Sequence, residues 1–151
     1  MSGLYQKALA IQKKFKASSL DLSEELKAEA ESGISFDDQV ENDLVDDEKF
    51  VNVSKSAVES FARSLIRSST ELIFAVDESG RITMQTGNLE INDEESNELS
   101  ELMSAGRAGW QQIRLGGMER VAQAATFEPF GWYFMVTEQR DTFYQAVNQI
   151  L

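Results

Sequence analysis

Apolar residues recur along the first thirty positions at alternating steps of four and three: Leu4, Ala8, Ile11 and Phe15, with Leu22 and Leu26 in phase. This spacing predicts a long N-terminal helix with one apolar stripe of coiled-coil type. Lys7, Lys13, Lys14 and Lys16 lie mostly off the stripe. The Ser18-Ser19 step weakens the pattern, and Asp21 with Glu24 reads as a fresh N-terminal cap, so one bent helix and two helices are both allowed. Gly33 reads as the stop, which bounds the first segment at 1–33. Segment 34–70 then holds an acidic connection and a second helix. The connection carries Asp37, Asp38, Glu41, Asp43, Asp46, Asp47 and Glu48 without a D-x-D-x-D-G loop, and so reads as solvated chain in preference to a calcium site. The helix starts at a Ser54 cap and gathers Val58, Phe61, Ala62, Leu65 and Ile66 on one face.

Near Leu72 the period changes from helical to strand-like. Leu72 to Val76 is a short apolar run, Asp77-Glu78-Ser79-Gly80 a turn, and Ile82, Met84 and Thr86 the alternating return strand. Asn92 or Asp93 starts a short acidic helix carrying Leu99 and Leu102, ended by Gly106. Two strands flank Gly116-Gly117, and a third runs from Trp132 to Thr137 after the Glu128-Pro129-Phe130-Gly131 turn. Phe143, Val147 and Ile150 mark a terminal helix over 139–151. The whole reads as one α+β domain, 1–151, with a five-stranded antiparallel sheet within 71–138.

The turns also set a register. A two-residue loop at Gly116-Gly117 pairs Leu115 with Met118, Arg114 with Glu119, Gln112 with Val121 and Trp110 with Gln123. A four-residue turn at 128–131 pairs Phe127 with Trp132 and Ala125 with Phe134. One face then carries Ile113, Leu115, Met118, Ala122, Ala124 and Met135, and is expected to pack against the long helix. The other carries Trp110, Gln112, Arg114, Val121, Gln123, Phe127 and Trp132, a mixture of aromatic and polar groups suited to a small-molecule pocket. The plainer alternative is that Arg114 pairs with Glu119 across the hairpin while both tryptophans belong to the core.

Composition narrows the function. The 151 residues include 26 acidic and 14 basic side chains, a net charge of −12, which argues against nucleic acid and anionic lipid as partners. The chain has no histidine and no cysteine, so the commonest general base, thiol chemistry and Cys-based zinc sites are excluded. No P-loop, nucleophile elbow, HExxH or GxGxxG is present, and carboxylate pairs lie in acidic surface runs. No catalytic residue, metal site or cofactor is expected, and the chain reads as a non-enzyme. It contains no run of about 18 apolar residues, so any membrane span would lie outside it.

Two segments carry a resemblance. Leu72-Ile-Phe-Ala-Val-Asp-Glu-Ser-Gly-Arg-Ile82 resembles the opening hairpin of Cache and other PAS-like sensor domains, and Phe127-Glu-Pro-Phe-Gly-Trp-Tyr-Phe-Met-Val136 resembles the closing hairpin of single Cache domains. The resemblance covers most of the chain, with nothing matched at 35–53. It implies a periplasmic ligand-sensing domain of a bacterial membrane receptor, of chemotaxis or two-component type, tethered by transmembrane helices before the first helix and after the last. It implies a small ligand, such as a carboxylate, against the sheet. The residues expected to hold it are Trp110, Gln112, Arg114, Gln123 and Trp132, with Arg107 as a reserve cation. The complete aromatic-Arg-Trp-Tyr-Asp set of the amino-acid-binding members is missing. A homodimer through the N-terminal helix is expected from its stripe. The alternatives are a protein-interaction module of the same fold without a small ligand, and an intracellular PAS-type domain.

Overall fold

The computed structural model describes residues 3–31 and 55–150, with side chains at 3–17 and 55–148. Helix α1 (Gly3–Glu31) is one continuous element, so the Ser18-Ser19 step does not split it. Helix α2 (residues 55–65) follows, then strands β1 (Leu72–Val76) and β2 (Ile82–Gln85), helix α3 (Asp93–Ser104), strands β3 (Gly109–Leu115) and β4 (Met118–Phe127), a 3-10 turn (Glu128–Phe130), strand β5 (Trp132–Gln139) and helix α4 (Arg140–Ile150). The Gly33 stop, the acidic stretch 35–53 and the Ser54 cap lie outside the described residues.

All strand pairs are antiparallel, in the order β2-β1-β5-β4-β3, a PAS-like sheet within an α+β fold. The register is the one the turns predict: Leu115 opposite Met118, Arg114 opposite Glu119, Gln112 opposite Val121, Trp110 opposite Gln123, Phe127 opposite Trp132 and Ala125 opposite Phe134. Gly116 and Gly117 take the positive φ that a two-residue hairpin loop requires, at 59° and 76°.

The two faces are covered in the opposite sense to the sequence expectation. Helix α1 lies on the face of Val121, Phe127, Trp132, Phe134 and Val136, where Leu4, Ala8, Ile11 and Phe15 are buried against it together with Val58 and Ala62 of α2. The face of Ile113, Leu115, Ala122, Ala124 and Met135 is closed instead by Leu99 of α3 and Leu89 of the preceding loop, and Met118 at its end is exposed. The physical reason lies in position within the sheet. Phe127, Trp132 and Phe134 sit on β4 and β5 and make a broad aromatic floor for Phe15. Trp110, Gln112 and Arg114 all project from the edge strand β3, beyond that floor.

Helix α3 begins as its sequence requires. The Asn92 side chain accepts from the Glu95 amide at 2.8 Å, and the Glu95 carboxylate accepts from the Asn92 amide at 3.1 Å, a reciprocal capping box. The helix also holds the β1–β2 turn. Ser96 Oγ donates to the Gly80 carbonyl and Ser100 Oγ to that of Glu78, while Asp77 organises the turn by accepting from the Ser79 and Arg81 amides. Burial works against ionisation of Asp77, and the donors from Ser79 and Arg81 outweigh it, so its pKa lies below the ordinary value.

Candidate functional site

The six residues expected to meet over one sheet face fall into separate environments. Trp132 is 1% exposed and belongs to the core, edge-on to Phe15 at 5.8 Å and to Phe130 at 5.2 Å. Lys55 lies 5.5 Å from its ring centroid, and its indole N–H is buried without an acceptor. Trp110 is 40% exposed and packs at 5.1 Å on Phe143 of α4. Gln112 donates to the hydroxyl of Tyr144 on the same helix, so α4 covers this stretch of the edge strand. Gln123 is half-buried beside it on β4.

Arg114 is exposed and lies 3.9 Å from Glu119, the cross-hairpin pair that the plainer sequence reading allows. It also borders a groove of about 400 Å³ whose other walls are Asn92, Glu94, Glu95, Glu98 and Gly117. Three glutamates around one guanidinium leave little positive potential for a ligand carboxylate. Arg107 precedes β3 and is exposed; its carbonyl accepts from the Tyr133 hydroxyl at 2.8 Å and from the Gln111 amide at 3.2 Å. Burial pushes the Tyr133 phenol up, opposed by Gln111 and the Arg107 charge.

Sequence reasoning passed over Glu95, Tyr133, Thr137 and Arg120. Strand alternation marks the last three, since Tyr133 and Thr137 share parity with Met135 on β5, and Arg120 shares parity with Ala122 and Ala124 on β4. A polar side chain on an otherwise apolar face is the available signal. Glu95 is found by its place three residues after an Asn cap.

Glu95 has the clearest electrostatic role. Only 7% exposed, it closes the capping box and also accepts from the amides of Gly116 at 3.1 Å and Gly117 at 3.2 Å, tying α3 to the β3–β4 hairpin. Desolvation raises its pKa, but the Asn92, Gly117 and Gly116 amides, helped by the Arg114 charge, bring it below the ordinary glutamate value. A depressed folded pKa gives stability that is present above the unfolded value, near pH 4.3, and is lost as pH falls through the folded one. Glu95→Gln is therefore expected to cost about 1–3 kcal/mol at pH 7, with the gap to wild type narrowing in strong acid. Urea unfolding of both proteins at neutral and strongly acidic pH checks this. A gap that does not change with pH would mean that the charge is not what the latch uses.

Among the described residues, no group of three or more Asp or Glu side chains is arranged to hold a metal ion, and no helix is long and apolar enough to cross a membrane. The chain matches none of the protein-family models, curated proteins or solved structures compared with it.

Proposed function

We propose that this chain is a single Cache-type sensor domain, the periplasmic input part of a bacterial transmembrane receptor of chemotaxis or two-component type. The observation that carries the reading is the placement of the two terminal helices. Both α1 and α4 rest on β4 and β5. A change in the sheet is therefore felt at both helices, by which a receptor of this kind would be joined to the membrane. The PAS-like strand order and the two hairpins at the expected positions support the same reading. A ligand shifts such a device only by its differential affinity for two arrangements of these layers. A homodimer through α1 would have to use residues other than Leu4, Ala8, Ile11 and Phe15, which are buried in the domain's own core.

A second reading, a protein-interaction module of the same fold with no small ligand, is favoured by the close filling of both faces at the sheet centre, by Phe15 on one side and Leu99 on the other. A thermal-shift screen with small acids, amino acids and amines separates the two. A small-molecule sensor gains roughly 2.7 kcal/mol from a ligand at 100 times its dissociation constant, whereas the interaction module responds to none. The membrane placement is checked on the gene, which should encode an apolar span of about 20 residues on each side of this chain. A gene without such spans would overturn the receptor reading in favour of an intracellular PAS-type domain.

A further inference from the structure

The sheet has two edges, and they are built differently. β2 is four residues long, its pairing with β1 shifts register at Ala75-Val76, and Arg63 of α2 donates to the Gln85 and Thr86 carbonyls at its end, at 3.2 and 3.3 Å. Short length, a bulge and a covering charge all close an edge to other chains. β3 has none of the three. It runs seven residues without proline, in unbroken register with β4. Leu115 and Met118 flank the two-residue Gly116-Gly117 loop and so exchange both backbone bonds. The alternation then turns the amides and carbonyls of Trp110, Gln112 and Arg114 away from β4. Among the described residues nothing bonds to these groups. The three side chains are exposed on the α1 face, beside the exposed Tyr144 of α4. Helix α4 itself rests on β4 and β5, so it reaches those side chains without taking the backbone groups of the edge.

We propose that β3 pairs with β3 of a second copy of this chain, antiparallel about a two-fold axis at Gln112, so that two five-stranded sheets join into one. The order of the outward residues makes the strand complementary to itself. About that axis Gln112 meets the partner's Gln112, and Arg114 meets the partner's Trp110, once on each side. A guanidinium over an indole is a favourable pair, and two facing glutamine amides bond reciprocally. Glu119 stands on the other side of Arg114 at 3.9 Å, so each row across the joined sheet runs carboxylate, guanidinium, indole. The same residues select this occupant over an extended peptide. A basic segment would set its cations against Arg114, and an acidic one would approach a chain of net charge −12 without an indole to offer. A second copy carries that net repulsion too, but salt screens it while the short-range pairs remain. Because the β2 edge is blunted, one edge is open per chain, and the assembly closes at two. The proposal needs neither a ligand nor a membrane, so it stands or falls apart from the sensor reading. It also leaves the α1 stripe in the core of its own domain.

The test is sedimentation equilibrium of the whole chain from micromolar to millimolar concentration, at low and high salt. Wild type should pass from monomer to dimer and no further, with the tighter dimer at high salt. Gln112→Lys sets two cations against each other at the axis and should weaken the dimer by about tenfold or more. Gln112→Glu should do the same with two carboxylates, and an equal mixture of the two variants should form a dimer that neither forms alone. Gln112→Pro removes an amide that bonds nothing within the described chain, so it should fold and stay monomeric. If it does not fold, the mixture of the Lys and Glu variants carries the test. Tyr5→Ala, at an exposed position of α1, should dimerise as wild type does. Wild type that stays monomeric at millimolar concentration in high salt overturns the proposal, as does growth beyond the dimer. So does a dimer that survives in Gln112→Lys, a Lys and Glu mixture that stays monomeric, or a dimer lost in Tyr5→Ala and kept in the Gln112 variants.

Discussion

Truncating Phe15 to alanine is expected to destabilise the chain by about 3–5 kcal/mol, which at this chain length lowers Tm by about 6–20 °C. The ring is fully buried and meets four others: it stacks on Phe127 at 4.5 Å, stands edge-on to Phe130 and Trp132, and tilts against Phe134 at 5.1 Å. Those partners come from β4, the 3-10 turn and β5, so one side chain fastens α1 to the middle of the sheet. Its loss removes the transfer energy of a large aromatic group and leaves a cavity that rigid strands cannot close. Lys16, the next residue, is exposed, and Lys16→Ala should stay within about 0.5 kcal/mol of wild type. Thermal unfolding of the pair checks the prediction. A Phe15→Ala protein as stable as Lys16→Ala would mean that α1 is not docked as described.

The second large effect is at Gly80. Its φ is +81°, and a Cβ there would lie 2.1 Å from the Ser96 carbonyl oxygen and 2.7 Å from Ser96 Oγ. Backbone strain and collision with helix backbone add, so Gly80→Ala should cost about 2–5 kcal/mol. Gly106 provides the comparison. It has φ +65° with open space where its Cβ would stand, and Gly106→Ala should cost only the conformational part, about 1–2 kcal/mol. The difference between the two variants in urea unfolding measures how tightly the β1–β2 turn is pressed on α3. Equal costs would show that the close approach is absent.

Local chemistry made much of the fold legible in the sequence. Gly116-Gly117 and the Pro129-Phe130-Gly131 turn fix cross-strand pairs because a two-period chain folded at a known loop has one register. Val58, Phe61, Ala62, Leu65 and Ile66 give away α2 in the same way, through spacing that only a helix brings to one side. The assignment of layers was not legible. Ile113's face is apolar and Phe127's face mixes aromatic with polar groups, and nothing in either strand says which of them the 29-residue α1 or the 12-residue α3 will cover. That choice depends on which face offers the larger aromatic floor to Phe15, a property of three elements distant in sequence. The site suffered for the same reason. Trp132 reads as a ligand wall until Phe15 is placed on it. Arg120 is marked only by its parity with Ala122 and Ala124 until Thr137 and the 88–90 loop come together around it.

The strand order has a consequence for how the chain is made. β1 and β2 form one local hairpin and β3 and β4 another, yet the two are joined only through β5, the last strand in sequence but the central one in space. The bond from Thr137 to the Leu72 carbonyl spans 65 residues. Until β5 has emerged from the ribosome, the two hairpins each lack the strand that pairs with their inner edge in the finished sheet. Such non-local closure slows folding and leaves strand edges open to pairing with other chains meanwhile. Shortening the chain from its C-terminus into β5 would therefore leave two hairpins prone to aggregate.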